Sequence, residues 1–452
     1  MKTTLITNVK IVNEGKIHKK CAVLIKGDTI DKIFRKEVPQ DLFDKCDVID
    51  GDNRYLLPGA IDDQVHLREP GLTHKEDIYH GSKAAVAGGV TSFMEMPNTI
   101  PQATDLATLE QKYDRAAESS LANYSFYLGA TNSNIEEVEK IDKKRICGVK
   151  LFMGSSTGNM LVDNEDALNE LFAKSPVIIT SHCEDEQIIR NNIAKAKEQY
   201  GEDVPISEHP NIRSAEACYQ STVKTIELAK KHNARLHVLH LSTQKEMALF
   251  QSGALKNKNI TAEVCVHHLW FDSSDYEKYG TKIKWNPAIK TATDKAALWD
   301  ALNNDRIDVV ATDHAPHTKE EKDNSYFKAP SGGPLLQHSL VAMLDMARKG
   351  NTTIEKVVEK MCHAPADLFN VEKRGYIRKG YKADLVLVDQ APWEVAEDNV
   401  VYKCGWSPFE GTRLAFKVTH TFVNGQLVYK ADKEGMHFYE EVKGERLTFD
   451  RE

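Results

Sequence analysis

The chain of 452 residues is 41% hydrophobic and 28% charged, ordinary values for a soluble globular protein, and its net charge of −8 speaks against a nucleic-acid-binding surface. No apolar run approaches the roughly 18 residues needed to cross a bilayer, so no membrane span is expected. The eight cysteines are scattered without a C-x-x-C pair, which excludes a disulfide framework or a thiolate zinc site as the organising principle.

The chain begins with Met1-Lys2-Thr3-Thr4-Leu5-Ile6, a short alternating pattern instead of a signal-peptide core, so a reducing cytoplasm is the expected location. Short strands are predicted at Leu5 to Val12, Ala22 to Ile25 and Thr29 to Ile33, separated by turns at Asn13-Glu14-Gly15 and Lys26-Gly27-Asp28. A regular alternation of apolar runs and helical stretches follows. Its candidate strands are Leu56 to Ile61, Val90 to Met94, Ser125 to Leu128, Gly148 to Phe152, Val177 to Thr180, Leu236 to Leu239, Thr261 to Cys265 and Val309 to Ala311. A helix from Glu76 to Ala87 should stop at Gly88-Gly89, and Thr352 with Glu355 predicts a capping box before a helix from Ile354 to Cys362. Strands return at Ala383 to Val388, Phe416 to Val423 and Gln426 to Tyr429, the last two joined by the hairpin signal Asn424-Gly425.

Eight β–α units predict an α/β fold, a (β/α)₈ barrel, with a doubly wound open sheet as the alternative on pattern alone. The two chain ends are expected to build one small β-sandwich domain. The corresponding division is 1–56 and 371–452 for that domain and 57–370 for the barrel.

In a barrel the C-terminal strand ends converge on one mouth. Those ends carry His66, Lys150, His182, His240 and Asp313. Neutral imidazole and carboxylate are ligands that zinc accepts while keeping a position open. Taken singly, each His is more often a hydrogen-bonded structural residue, and Asp313 could cap the turn that follows; jointly the set points to a metal centre. Lys150 interrupts the run Val149-Lys150-Leu151-Phe152, and a buried amine must pair with an acid or lose its charge. His237, His267 and His268 read as structural.

The segment from Pro58 to Gly71, containing Asp62-Asp63-Gln64-Val65-His66-Leu67-Arg68-Glu69, resembles the opening motif of the dihydroorotases within the amidohydrolase superfamily. Met96-Pro97-Asn98-Thr99, Gly148-Val149-Lys150-Leu151-Phe152-Met153, Ser181-His182-Cys183-Glu184, His240-Leu241-Ser242-Thr243, Asn286-Pro287 and Thr312-Asp313-His314-Ala315-Pro316-His317 follow in that family's order.

The resemblance implies two zinc ions per subunit and a Lys150 carboxylated by CO₂ to a bridging carbamate. His182 and His240 would complete one metal, while His66 and Asp313 would help hold the other. It also implies reversible hydrolysis of dihydroorotate to N-carbamoyl-aspartate in pyrimidine synthesis, with Asp313 as acid and base. Arg68, Asn98, Asn286 and His317 would bind the substrate. The first motif departs from the family's His-x-His, because Gln64 stands in the first position; a glutamine amide is a poorer zinc ligand, so weaker binding or altered geometry is expected there, with full loss of that metal as the competing outcome. A hydantoinase, dihydropyrimidinase or allantoinase activity, or a non-catalytic homologue, are the alternatives. The expected partner is the small-molecule substrate, with neither nucleic acid nor membrane, and a homo-oligomer is possible.

Overall fold

The computed structural model describes residues 3–154 and 160–452. Eight strands form the barrel wall: Ala60–Val65, Val90–Glu95, Asn123–Phe126 continued by Leu128–Gly129, Val149–Phe152, Ile179–His182, Leu236–Val238, Ile260–Cys265 and Val309–Ala311. Every neighbouring pair runs parallel. The ring closes where Val65 bridges His314, with His66 N donating to His314 O at 2.7 Å. Closure selects the barrel over the open sheet.

Nearly all wall residues are buried, because helices cover the outer face of a parallel sheet while side chains fill its inside. The helices start where the sequence offers a polar cap. Asp77, Asp105, Asn164, Ser214 and Thr291 each accept a hydrogen bond from a backbone N–H of the turn that follows. The late helix Ile354–Val358 is capped by Thr353 and not by Thr352, whose hydroxyl reaches Asn303 instead.

The first barrel strand differs from expectation. The run Leu56 to Ile61 divides at Gly59: Tyr55–Pro58 joins the end sheet, and the barrel begins with Ala60–Val65. A Cβ at Gly59 would lie 2.0 Å from Thr91 Oγ1, so only glycine lets the chain pass from one sheet to the other here. The consequence is functional, since Gln64 becomes part of the wall and His66 follows its end.

Strands from both chain ends join in one nine-stranded sheet. Its edge strand Thr29–Phe34 returns to the segment preceding Leu385–Asp389, with Ile30 N donating to Tyr381 O (2.9 Å) and Ala383 N to Asp28 O (2.8 Å). The sheet thereby curls over a core that includes Ile6, Val23, Ile25, Leu56, Leu385 and Phe422. The hairpin of Lys417–Val423 and Gln426–Asp432 turns at Asn424 and Gly425, both at positive φ. Asn123 of the third barrel strand hydrogen-bonds Asp384 and Asn424, tying the sheet to the barrel.

Candidate active site

The strand ends surround a cavity of about 60 Å³. His66, Arg68, Asn98, Lys150, His182, His240, Asn286 and Asp313 all line it, together with Gln64. His317 does not reach the cavity; it lies behind Arg68, with Nε2 3.1 Å from Arg68 Nη2. Strand alternation explains how Gln64 and His66 share a side, since residues two apart point the same way. Arg68, His240 and Asp313 all adopt left-handed backbone (φ +66°, +40° and +48°), a conformation costly for residues with side chains and found where packing over-determines it.

One side of the cavity is built around Lys150, His182 and His240. His182 Nδ1 and His240 Nε2 lie 3.0 Å apart. On its far side His182 Nε2 faces the Glu184 carboxylate at 3.0 Å, which can only accept, so the proton belongs on Nε2 and Nδ1 presents its lone pair inward. Glu184 is in turn paired with Arg213. Burial opposes its charge, but Arg213 and His182 outweigh that and hold its carboxyl below the usual range. Burial keeps His182 and His240 neutral by lowering both imidazole pKa values. Burial also pulls the Lys150 amine down to about 8, and its Nζ lies over the Phe152 ring. Two converging neutral imidazoles beside an amine that is easily deprotonated, and so able to take up CO₂ as a carbamate, form a donor set that fits zinc.

The opposite side has a different grammar. His66 Nδ1 meets Asn98 Oδ1 at 2.9 Å, which places the proton on Nδ1 and turns Nε2 toward Asp313 Oδ1, 3.2 Å away. Burial lowers the His66 pKa as well. Gln64 Nε2 donates to the same Asp313 oxygen at 3.2 Å. Its amide oxygen points to the Cys265 thiol, with Sγ 3.8 Å away. Burial pushes that thiol far up, so it stays protonated.

Arg68 is held by Nε donating to Pro316 O (3.0 Å), with the His317 ring lying behind its Nη2 at 3.1 Å. His317 is bracketed by Lys75 Nζ at Nδ1 (3.0 Å) and Ser331 O at Nε2 (3.0 Å), and burial drives its pKa well down. The polar stretch from Lys319 to Asn324 is anchored. Lys319–Lys322 is a helical turn, and the buried Lys322 Nζ donates to Pro330 O and Gly332 O. On the facing wall Asn286 Oδ1 and Trp285 Nε1 are buried with no hydrogen-bond partner among the described residues.

Beneath the cavity, the wholly buried His237 faces Asp63 (3.3 Å) and Glu263 (3.8 Å). Burial works against a charge on His237, yet these two carboxylates hold its pKa up at about 9. Glu263 Oε1 accepts from His240 N at 2.9 Å, so this charged floor supports the strand end that carries His240. Sequence reasoning missed Glu184, Arg213, Lys75, Cys265 and Trp285. Only Glu184 had a signal, its place two residues after His182.

The profile of the amidohydrolase family matches residues 55–428. A Pyrococcus furiosus protein named dihydroorotase is 34% identical over 426 residues, covering 94% of this chain and 91% of its own. One of the same name from Halobacterium salinarum is 34% identical over 381 residues, covering 83% and 87%. Among solved structures, the L-hydantoinase (dihydropyrimidinase) of Arthrobacter aurescens superposes with a TM-score of 0.91 at 26% identity, covering 99% of this chain and 100% of that one.

Proposed function

The chain belongs to the amidohydrolase family, and on that premise we propose that it is a zinc-dependent dihydroorotase, interconverting dihydroorotate and N-carbamoyl-aspartate for pyrimidine synthesis. The observation that carries this reading is Arg68, a buried guanidinium on the cavity wall beside the metal-type residues. A fixed, desolvated cation is matched to a substrate that brings a carboxylate, which dihydroorotate has and a simple hydantoin lacks.

Lys150, as its carbamate, with His182 and His240 would hold zinc; when bound, zinc polarises the ring amide carbonyl and acidifies water. The remaining steps belong to side chains. Arg68 pairs with the substrate carboxylate, and His317, acting from behind, keeps the guanidinium aimed. Asn286 Oδ1 accepts from a ring N–H, and Asn98 orients His66 and lies against the same cavity. Asp313 takes the proton from the attacking water and returns it to the ring nitrogen as the C–N bond breaks. The product gains a second carboxylate, whose proton passes to solvent, and is released as a dianion; the reverse sequence takes that proton back and closes the ring. The division into a barrel and an end domain built from both chain ends goes with this reading, with the first boundary at Gly59 and not between 56 and 57, because Leu57 and Pro58 pair with the end sheet.

A hydantoinase-type activity is the second reading, favoured by the likeness to the Arthrobacter aurescens structure. Ultraviolet absorbance of dihydroorotate, hydantoin and allantoin with zinc-loaded protein separates the two. Consumption of dihydroorotate above both controls is expected. Turnover of hydantoin with none of dihydroorotate would replace the first reading by the second.

A further inference from the structure

The family resemblance implies two zinc ions, with Gln64 weakening or removing one of them, and the two sides of the cavity are not equivalent. Asp313 is a carboxylate and can only accept, so the Gln64 atom facing its Oδ1 at 3.2 Å is the NH₂ group, and the amide oxygen is turned away toward Cys265. An ion bound to Asp313 Oδ1 at the usual distance of about 2.0–2.2 Å would meet the positive edge of that amide instead of a lone pair. Rotating the amide would bring its oxygen against the Asp313 oxygen and its NH₂ to the thiol. Both alternatives lose the hydrogen bond from the Gln64 side chain to Asp313.

The other three-ligand set has no such intruder. Lys150, His182 and His240 supply three ligands, and a water makes four, the number zinc prefers. This leaves Asp313 outside the ligand sphere, with its Oδ1 held by Gln64 and lying 3.2 Å from His66 Nε2.

We propose that this protein carries one metal ion per chain, at Lys150, His182 and His240, and that Gln64 is a positioning residue whose amide excludes a second ion by hydrogen-bonding Asp313. The inference rests on the zinc-dependent reading above. In the resulting site Asp313 is free of metal and available throughout the cycle as the proton carrier, with Gln64 and His66 fixing its orientation.

Metal analysis of protein produced with excess zinc and bicarbonate and then dialysed tests this, together with zinc-edge anomalous diffraction to locate each ion. One equivalent, placed among Lys150, His182 and His240, is the expected result, rising to two in Gln64→His, with the second ion at His66 and Asp313. Two equivalents in the unaltered protein, or a single ion at His66 and Asp313, would overturn the proposal while leaving the zinc-dependent reading intact. A folded Gln64→His that stays at one equivalent would remove Gln64 as the excluding group. No bound metal at all would overturn both the proposal and the reading it rests on.

Discussion

The two sides of the cavity are made from the same kinds of residue, yet they are prepared for different tasks. On one side, Glu184 braced by Arg213 backs His182, and Glu263 holds the backbone of His240, so His182 Nδ1 and His240 Nε2 converge beside Lys150. On the other, His66 and Asp313 are also ligand-type residues, but an amide donor stands among them and takes the carboxylate oxygen. Ligand identity therefore does not make a metal centre; the groups that orient ligands do, and one donor of the wrong polarity turns a ligand into a hydrogen-bond acceptor.

The most damaging way to break this contrast is to remove the ligand side. Lys150→Ala and His240→Ala should each lose bound zinc and all measurable dihydroorotate turnover, with the far-ultraviolet circular dichroism of the parent retained; either variant keeping full zinc would place the metal elsewhere. Asp313→Ala probes the other side. Turnover should fall by about 10²- to 10⁴-fold, the usual contribution of a general acid–base group, while zinc content stays unchanged. Parallel loss of zinc would make Asp313 a ligand and erase the difference between the sides.

A smaller effect is expected from Arg68→Met. Losing a charge-assisted hydrogen bond to the substrate carboxylate should cost about 1.5–3 kcal/mol, an increase in KM of roughly 10- to 100-fold, with little change in kcat. Steady-state kinetics that match the parent would remove Arg68 from substrate binding. The mildest test is the pH dependence of Lys150 carboxylation. Carbamate formation needs the neutral amine, and burial lowers this amine from 10.5 to about 8. At a fixed concentration of dissolved CO₂, recarboxylation of metal-free, decarboxylated protein should therefore speed up as pH rises toward 8 and level off above it. A rate still climbing toward 10 would mean an ordinary, solvated lysine.

Most of the barrel and its ligand-type residues are legible in the sequence because both follow local rules. Apolar runs of strand length recur between capped helices, and polar residues that interrupt them at their C-terminal ends must face the mouth. What is not legible depends on contacts between distant segments. The split of the first apolar run at Gly59 is set by Thr91, which no periodicity reveals. The direction of the Gln64 amide depends on Asp313 and Cys265, 249 and 201 residues away. The retreat of His317 behind Arg68 depends on Lys75 and Ser331, and the order of the following loop on a buried Lys322. The left-handed backbone at Arg68, His240 and Asp313 cannot be read from residue type: Asp and His enter that region more often than most residues, yet still in only a small share of cases, and Arg has no such preference.

Stepwise addition of zinc to metal-free protein in bicarbonate, with dihydroorotate turnover read after each addition, joins the catalytic reading to the asymmetry of the site in one experiment. Activity should rise linearly and level at one equivalent of zinc per chain. A plateau reached only at two equivalents would contradict the one-metal site, and no activity at any ratio would contradict the dihydroorotase itself.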